Sequence, residues 1–149
     1  MCSPITKRCT AMINKKLRLQ IITPQRPVLD KQVDFVALPA FNGEMGILPG
    51  HIQYVAKLNY GVLRYKDGAE EGAFAVMGGL AEIEHNNVAV FAEDAALEDE
   101  IDVEEEKQRL AKAKATLSAH DSEIDMELAE IEIKKALLLL KVKSKGPKF

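Results

Sequence analysis

The chain has 149 residues, 47% apolar and 29% charged, with 20 basic and 23 acidic side chains and a net charge of −3. That length buries a core without disulfide or metal staples, and the lack of a basic excess argues against a general nucleic-acid binder. With no Trp and 5% aromatic residues, base-stacking platforms are not expected. No purely apolar run exceeds the five residues of Ala136–Leu140, far too few to cross a bilayer, so no direct membrane insertion is expected.

Cys2 and Cys9 both lie at the amino end, so no disulfide framework holds the fold. A reducing compartment is the simplest reading. Residues 1–16 include Lys7, Arg8, Lys15 and Lys16, no acid, and no apolar stretch that would make a secretory signal. They read as a disordered extension, or as an over-extended start with Met12 the true one, because strand-like alternation begins at Leu17.

Charge and composition divide the chain in two. Residues 1–97 balance ten basic against ten acidic side chains, and 98–149 carry ten against thirteen. All glycines but Gly146, all prolines but Pro147 and all aromatics but Phe149 precede residue 97. The expected organisation is a β domain over 17–97 and a helical domain over 98–149 that ends in a flexible basic tail.

In chain order, Leu17–Ile21 alternates apolar and polar residues and reads as a half-buried strand. Thr23-Pro24 ends it. Val33–Leu38 reads as a second strand, stopped by Pro39. Gly61–Tyr65 and Ala73–Met77 flank Asp67-Gly68, a hairpin signal. Ala81–Glu84 and Val88–Ala92 flank His85-Asn86-Asn87, another. Short strands with turns every 8–12 residues or so suggest a two-layer antiparallel sandwich or barrel.

After residue 98 the period becomes helical. Val103, Leu110 and Leu117 are seven apart, with Ala111, Ala113 and Ala115 between them. Ile124, Leu128 and Ile131 form the expected apolar stripe of a second helix, which Ser122 caps. The two helices form an antiparallel hairpin. Ala136–Leu140 is apolar all round, so the second helix is expected to bury more than one face near its end. Seven acids crowd 98–106 and six lysines follow from Lys134 onward. Each suits the helix dipole at its end, but dipole matching accounts for a preference rather than a cluster.

Signatures of catalysis are mostly missing. There is no phosphate loop, no G-x-G-x-x-G, no G-x-S-x-G, no H-E-x-x-H and no C-x-x-C. His51, His85 and His120 sit in separate expected loops, so a metal site is not expected. Two segments stand out. Gly43-Glu44-Met45-Gly46-Ile47-Leu48-Pro49-Gly50-His51 packs three glycines and a proline around an Ile-Leu pair, which implies a tight turn pressing on something. Val76–Ile83 is a strand interrupted by Gly78-Gly79, the pattern of a bulge or barrel corner.

Together with the acidic junction and Ala-rich hairpin, these two segments resemble the epsilon subunit of F-type ATP synthase, called delta in mitochondria, over about residues 17–142. The resemblance implies an α+β fold, an amino-terminal antiparallel β-sandwich of about ten strands followed by a two-helix hairpin. It implies a non-catalytic rotor subunit of the central stalk that joins gamma to the c-ring. Its hairpin would inhibit ATP hydrolysis when it extends into the alpha/beta catalytic hexamer. The location implied is the cytoplasmic face of a bacterial plasma membrane. By the same resemblance, Gly43, Glu44, Met45, Gly46, Ile47, Leu48, Pro49, Gly50 and His51 meet the c-ring and gamma. The regulatory part includes Ile101, Asp102, Glu105, Leu128 and Lys135. The family's nucleotide motif, I-D-x-x-R-A with arginines on the second helix, is half present. Ile101 and Asp102 match, but Glu105 stands where Arg is expected, Leu128 where an Arg is common, and Lys135 replaces another. A carboxylate beside a polyphosphate is repulsive, so no cofactor is assigned.

Two other readings rest on the residues alone. One is a stand-alone ligand-binding β-sandwich with a helical interaction module. The other is an enzyme using Glu44 and His51 as acid and base, for which no nucleophile is evident.

Overall fold

The computed structural model describes residues 16–119 and 122–145. Expectations for His120, for residues 1–15 and for the last four residues lie outside the described part. The described chain forms eight strands, one 3-10 turn and two α-helices. The strands are β1 Leu17–Ile22, β2 Pro27–Val33, β3 Phe35–Ala40, β4 Gly43–Ile47, β5 Tyr54–Asp67, β6 Glu70–Glu84, β7 Asn87–Ala92 and β8 Ala95–Leu97. They form one sheet in the order β2-β1-β7-β6-β5-β3-β4, with β8 also on β6.

That sheet folds over on itself because its two longest strands bend. In β6, Phe74 and Val76 face the main core, and so do Ala81 and Ile83. Inward positions thus change from even to odd, and the change falls at Gly78-Gly79, with φ +74 and +118. In a regular strand a one-residue slip would turn every apolar side chain outward. β5 makes the matching change, since Leu58 and Leu63 both point into the same core. Each long strand therefore serves two layers. This explains why the structure has eight strands where about ten were expected: the glycines bend β6 rather than end it.

Three further differences have local causes. Val33–Leu38 is split, because the Asp34 amide donates to the Lys66 carbonyl (2.8 Å) and its carboxylate accepts from the Gly68 amide (2.7 Å). Pro39 does not stop β3. Its missing N–H falls where the β3–β5 ladder slips between Ala37 and Ala40. The body is also not wholly antiparallel, since β1 pairs parallel with β7. No tight turn joins those two strands, so nothing local dictates their direction. The two expected turns are present. Asp67 pairs with Glu70 and Glu84 with Asn87, which leaves the two-residue loops Gly68-Ala69 and His85-Asn86. His85 and Asn86 both have positive φ, as a type I′ turn requires. Lys16 is tied to the body by ion pairs with Asp67 and Asp34.

The carboxy-terminal part holds the 3-10 turn Glu98–Glu100, α1 Val103–Ala119 and α2 Glu123–Lys145. Val103, Glu106, Leu110, Ala113 and Leu117 are the buried or half-buried residues of α1. On α2 the same seven-residue seam reads Met126, Ala129, Ile133, Ala136 and Leu140. The stripe expected from sequence, Ile124, Leu128 and Ile131, is instead exposed. α2 must aim Leu138, Leu139 and Val142 at the sheet, and small Ala129 and Ala136 let the helices approach on the other side. Those three residues join Ile101 over Ala73, Ala75 and Met77 of β6 in a second core. Leu137 remains exposed, so the apolar run is not buried on every side.

Single substitutions probe this packing at two points. A Cβ at Gly79 would lie 2.0 Å from the Phe91 carbonyl oxygen, at a φ that L-residues rarely adopt. Gly79→Ala is expected to cost more than about 2 kcal/mol, read as a lowered urea midpoint. Gly50→Ala, which meets open space, should cost only its backbone strain. Val142→Ala is expected to weaken hairpin docking by about 1–2 kcal/mol. Hydrogen exchange should then quicken in the second half of α2 and stay unchanged in β1 and β7.

Candidate partner interface and hairpin

The segment 43–51 is not one loop. Gly43–Ile47 is edge strand β4, paired from Ala40↔Gly43 to Val36↔Ile47. Gly46 lets the Phe35 ring lie against the backbone, at 3.1 Å from where a Cβ would stand. Met45 is half-buried against the main core and Ile47 is fully buried within it. Ile47 thus anchors the strand and touches no outside surface. Glu44 is exposed and forms an ion pair with Arg64 on β5.

Beyond Ile47 the chain turns outward. The His51 amide donates to the Leu48 carbonyl at 3.1 Å, closing a turn over Pro49-Gly50. The Gly50 amide donates to Asn86 Oδ1 at 2.7 Å, so the turn is pinned to the β6–β7 hairpin. His51 Nδ1 lies 2.8 Å from the Ile52 carbonyl oxygen. His51 and Glu44 belong to different ends of the segment, and each has its own bonding partner. This fixed turn presents Leu48 at 60% and Ile52 at 74% exposure. Tyr54 and Val55 continue the exposed apolar surface along β5. A cleft of about 460 Å³ joins them to Phe41 and Glu44 at the β3–β4 turn.

Sequence reading missed Phe41, Ile52, Tyr54 and Val55. Ile52 directly follows the glycine motif, and Phe41 precedes Asn42-Gly43, so an apolar side chain beside a turn was the available signal. A second cleft, about 490 Å³, lies on the other side of Glu44. It is lined by Phe41, Tyr60, Arg64, and Lys141 and Val142 of α2. The end of the hairpin therefore shares a wall with the β4 edge.

The five hairpin residues singled out by sequence have separate places. Ile101 is buried in the second core. Asp102 caps α1, its Oδ1 accepting from the amides of Glu104 (3.0 Å) and Glu105 (3.4 Å). Glu105 is paired with Arg109 at 2.7 Å. Leu128 lines a shallow inter-helix groove of about 300 Å³ with Arg109, Lys112, Asp125 and Glu132. Lys135 is half-buried. Arg109 also bonds Glu106 (3.3 Å), so two carboxylates occupy the groove's guanidinium. At the junction, Arg26 holds Glu100 at 2.8 Å and keeps that carboxyl below its usual range. Lys143 donates to the Glu98 carbonyl at 3.3 Å. Among the described residues, no group of three or more His, Cys, Asp or Glu is placed to hold a metal ion. No described helix is long and apolar enough to cross a membrane.

The ATP synthase delta/epsilon chain β-sandwich domain matches residues 16–98. The chain is 39% identical to the ATP synthase epsilon chain of Desulforamulus reducens over 127 residues, which span 85% of this chain and 96% of that one. Identity to the epsilon chain of Elusimicrobium minutum is 49% over 109 residues, covering 72% of this chain and 81% of the relative. Among solved structures, a chain of the Euglena gracilis mitochondrial ATP synthase superposes with a TM-score of 0.76 at 25% identity, over 87% of this chain and 82% of that one. A chain of the Tetrahymena thermophila central stalk and c-ring shares the fold, with a TM-score of 0.61 at 15% identity. With the sandwich matched as a domain and both parts aligned to whole relatives, the chain belongs to the delta/epsilon chain family of ATP synthase.

Proposed function

We propose that this chain is the epsilon subunit of an F-type ATP synthase, a non-catalytic part of the rotor. It joins the gamma subunit to the c-ring, and its hairpin restrains ATP hydrolysis when it extends toward the alpha/beta hexamer. The observation that carries this reading is the alignment to an epsilon chain across sandwich and hairpin together, over 85% of this chain and 96% of the relative. The complex works in proton-driven ATP synthesis at the cytoplasmic face of a bacterial plasma membrane. The bacterial sources of the similar epsilon chains support that location.

The surface that meets gamma and the c-ring is the pinned turn Leu48–Ile52 together with Glu44 and the exposed Phe41. Gly50 permits the turn's positive φ, and the His51–Leu48 and Gly50–Asn86 bonds fix it before any partner arrives, which lowers the ordering cost of association. Exposed apolar side chains such as Leu48 and Ile52 stabilise an association in proportion to the area that it removes from water. Ile47 and Gly46 act from behind by fixing β4. Ile101 and Asp102 mark the hinge between sandwich and hairpin. Glu105, Leu128 and Lys135 belong to the part that moves.

Replacing Leu48 and Ile52 together by Glu should weaken assembly with gamma and the c-ring by about 2 kcal/mol or more. Co-purification read beside an unchanged circular dichroism spectrum checks this. Full assembly by the double variant would exclude the turn as the interface. The regulatory role is tested on the parent complex, with the full chain and with a truncation after Ala96. Hydrolysis should rise on truncation; an equal rate would exclude restraint by the hairpin. Failure of the full chain to bind gamma would remove the stalk assignment itself.

A further inference from the structure

The hairpin seam contains one residue that does not belong in an apolar repeat. Along α1 the positions turned toward α2 are Val103, Glu106, Leu110, Ala113 and Leu117, and Glu106 is only 6% exposed. An ionised carboxylate in such a place needs a partner that offsets its lost hydration. Among the described residues Arg109 is the one cation within ion-pair distance of it, at 3.3 Å. The shorter bond of that guanidinium, 2.7 Å, goes to the exposed Glu105. The other charged groups facing Glu106 are acidic: Asp102 and Glu105 on its own helix and Glu132 on α2. Lys135 on α2 is half-buried and makes no ion pair with it. In the 3-10 turn, Glu100 is already held by Arg26. α1 has α2 as its one substantial packing partner, so the state of Glu106 acts on how firmly these two helices close.

We propose that Glu106 makes closure of the α1–α2 seam depend on pH, the seam being tighter with the carboxyl protonated and looser at neutral pH. The property belongs to the hairpin itself and holds whether or not the chain acts in a rotary stalk.

Burial pushes the Glu106 carboxyl above its ordinary value of 4.5; Glu105, Glu132 and Asp102 push the same way and Arg109 opposes them. With the proton held more tightly in the closed seam, closure is at full strength below the ordinary value. It weakens as pH rises through the raised value and is lowest above it. Asp102 caps α1 and Glu105 pairs with Arg109, so each has a structural role apart from the seam. Glu100 is shifted in the opposite direction, so its contribution is already complete above its ordinary range and does not vary there.

Hydrogen-exchange protection of the α1 amides Leu110–Leu117 tests this on the full chain. Protection factors are referred to intrinsic exchange at each pH from about 3.5, below the ordinary carboxyl value, to about 8. The unsubstituted chain should lose protection several-fold as pH rises, each loss of about tenfold corresponding to one unit between the carboxyl's open and closed values. Glu106→Gln should remove most of that slope. Glu106→Leu should be flat and better protected than the unsubstituted chain at the alkaline end. A flat profile in the unsubstituted chain, or the same slope in Glu106→Gln, overturns the proposal. Because Glu106→Gln nearly keeps the shape of the side chain, it decides the matter even if Glu106→Leu fails to fold.

Discussion

One strand is a wall of two cores, and the rest of the molecule is arranged around it. Along Ala73–Met77 of β6 every residue is buried. Phe74 and Val76 fill the sandwich, while Ala73, Ala75 and Met77 lie beneath the hairpin. A strand buried on both faces loses the polar-out alternation of a half-exposed one. Two of its three outward residues are alanine, which lets α2 come close. Past Gly78-Gly79 the strand leaves the hairpin, and its outward positions become Leu80, Glu82 and Glu84, which face solvent. The glycine pair thus lets one strand serve first as a floor for helices and then as an ordinary exposed layer. Gly79 also brings β6 against the Phe91 backbone closely enough to exclude any side chain.

The acidic run at the junction is several structures rather than one patch. Glu100 holds Arg26 of the sandwich, Asp102 ends the backbone of α1, Glu105 engages Arg109, and Glu106 lies in the seam. The first and third are exposed ion pairs, each contributing about 0–1 kcal/mol. A cap contributes about 1 kcal/mol, and a buried carboxylate costs stability unless it is well paired. Counting seven acids as one electrostatic cluster would therefore misjudge even the sign of some of them.

Much of the architecture was legible because its signals are local. His85-Asn86 and Gly68 announce two-residue hairpins, Ser122 announces a helix start, and the Asp125 amide does bond to the Ser122 hydroxyl, at 3.1 Å. What escaped reading depends on distant partners. Pro39 looked like a strand end, yet β3 continues because the β5 ladder slips beside it. Gly43–Ile47 looked like a turn, and only pairing with Val36 through Ala40 makes it a strand. Ile124, Leu128 and Ile131 form a good helical stripe but are exposed, since the demands of the sheet on Leu138, Leu139 and Val142 set the rotation of α2. At the candidate interface the glycine motif was visible, while the apolar surface of Phe41, Tyr54 and Val55 is assembled from separate elements and has no contiguous pattern.

The distribution of burial separates the mechanics of the two parts. The sandwich core draws on all eight strands, so no one contact can be lost without disturbing others. The hairpin meets the sandwich through Ile101 and, on α2, through Leu138, Leu139 and Val142, all in the second half of that helix. At about 1.5–3 kcal/mol for a fully buried side chain of this size, with the unfolded-chain reference making this an upper estimate, the attachment is small beside the interior of the sandwich. α1 has no comparable hold on the sheet, since its packing partner is α2. Undocking α2 from β6 and parting α1 from α2 therefore break different contacts, one apolar and one containing a buried acid. Acid conditions strengthen the second without touching the first, so the hairpin can leave the sandwich as a closed pair or come apart first, depending on which contact is weakened.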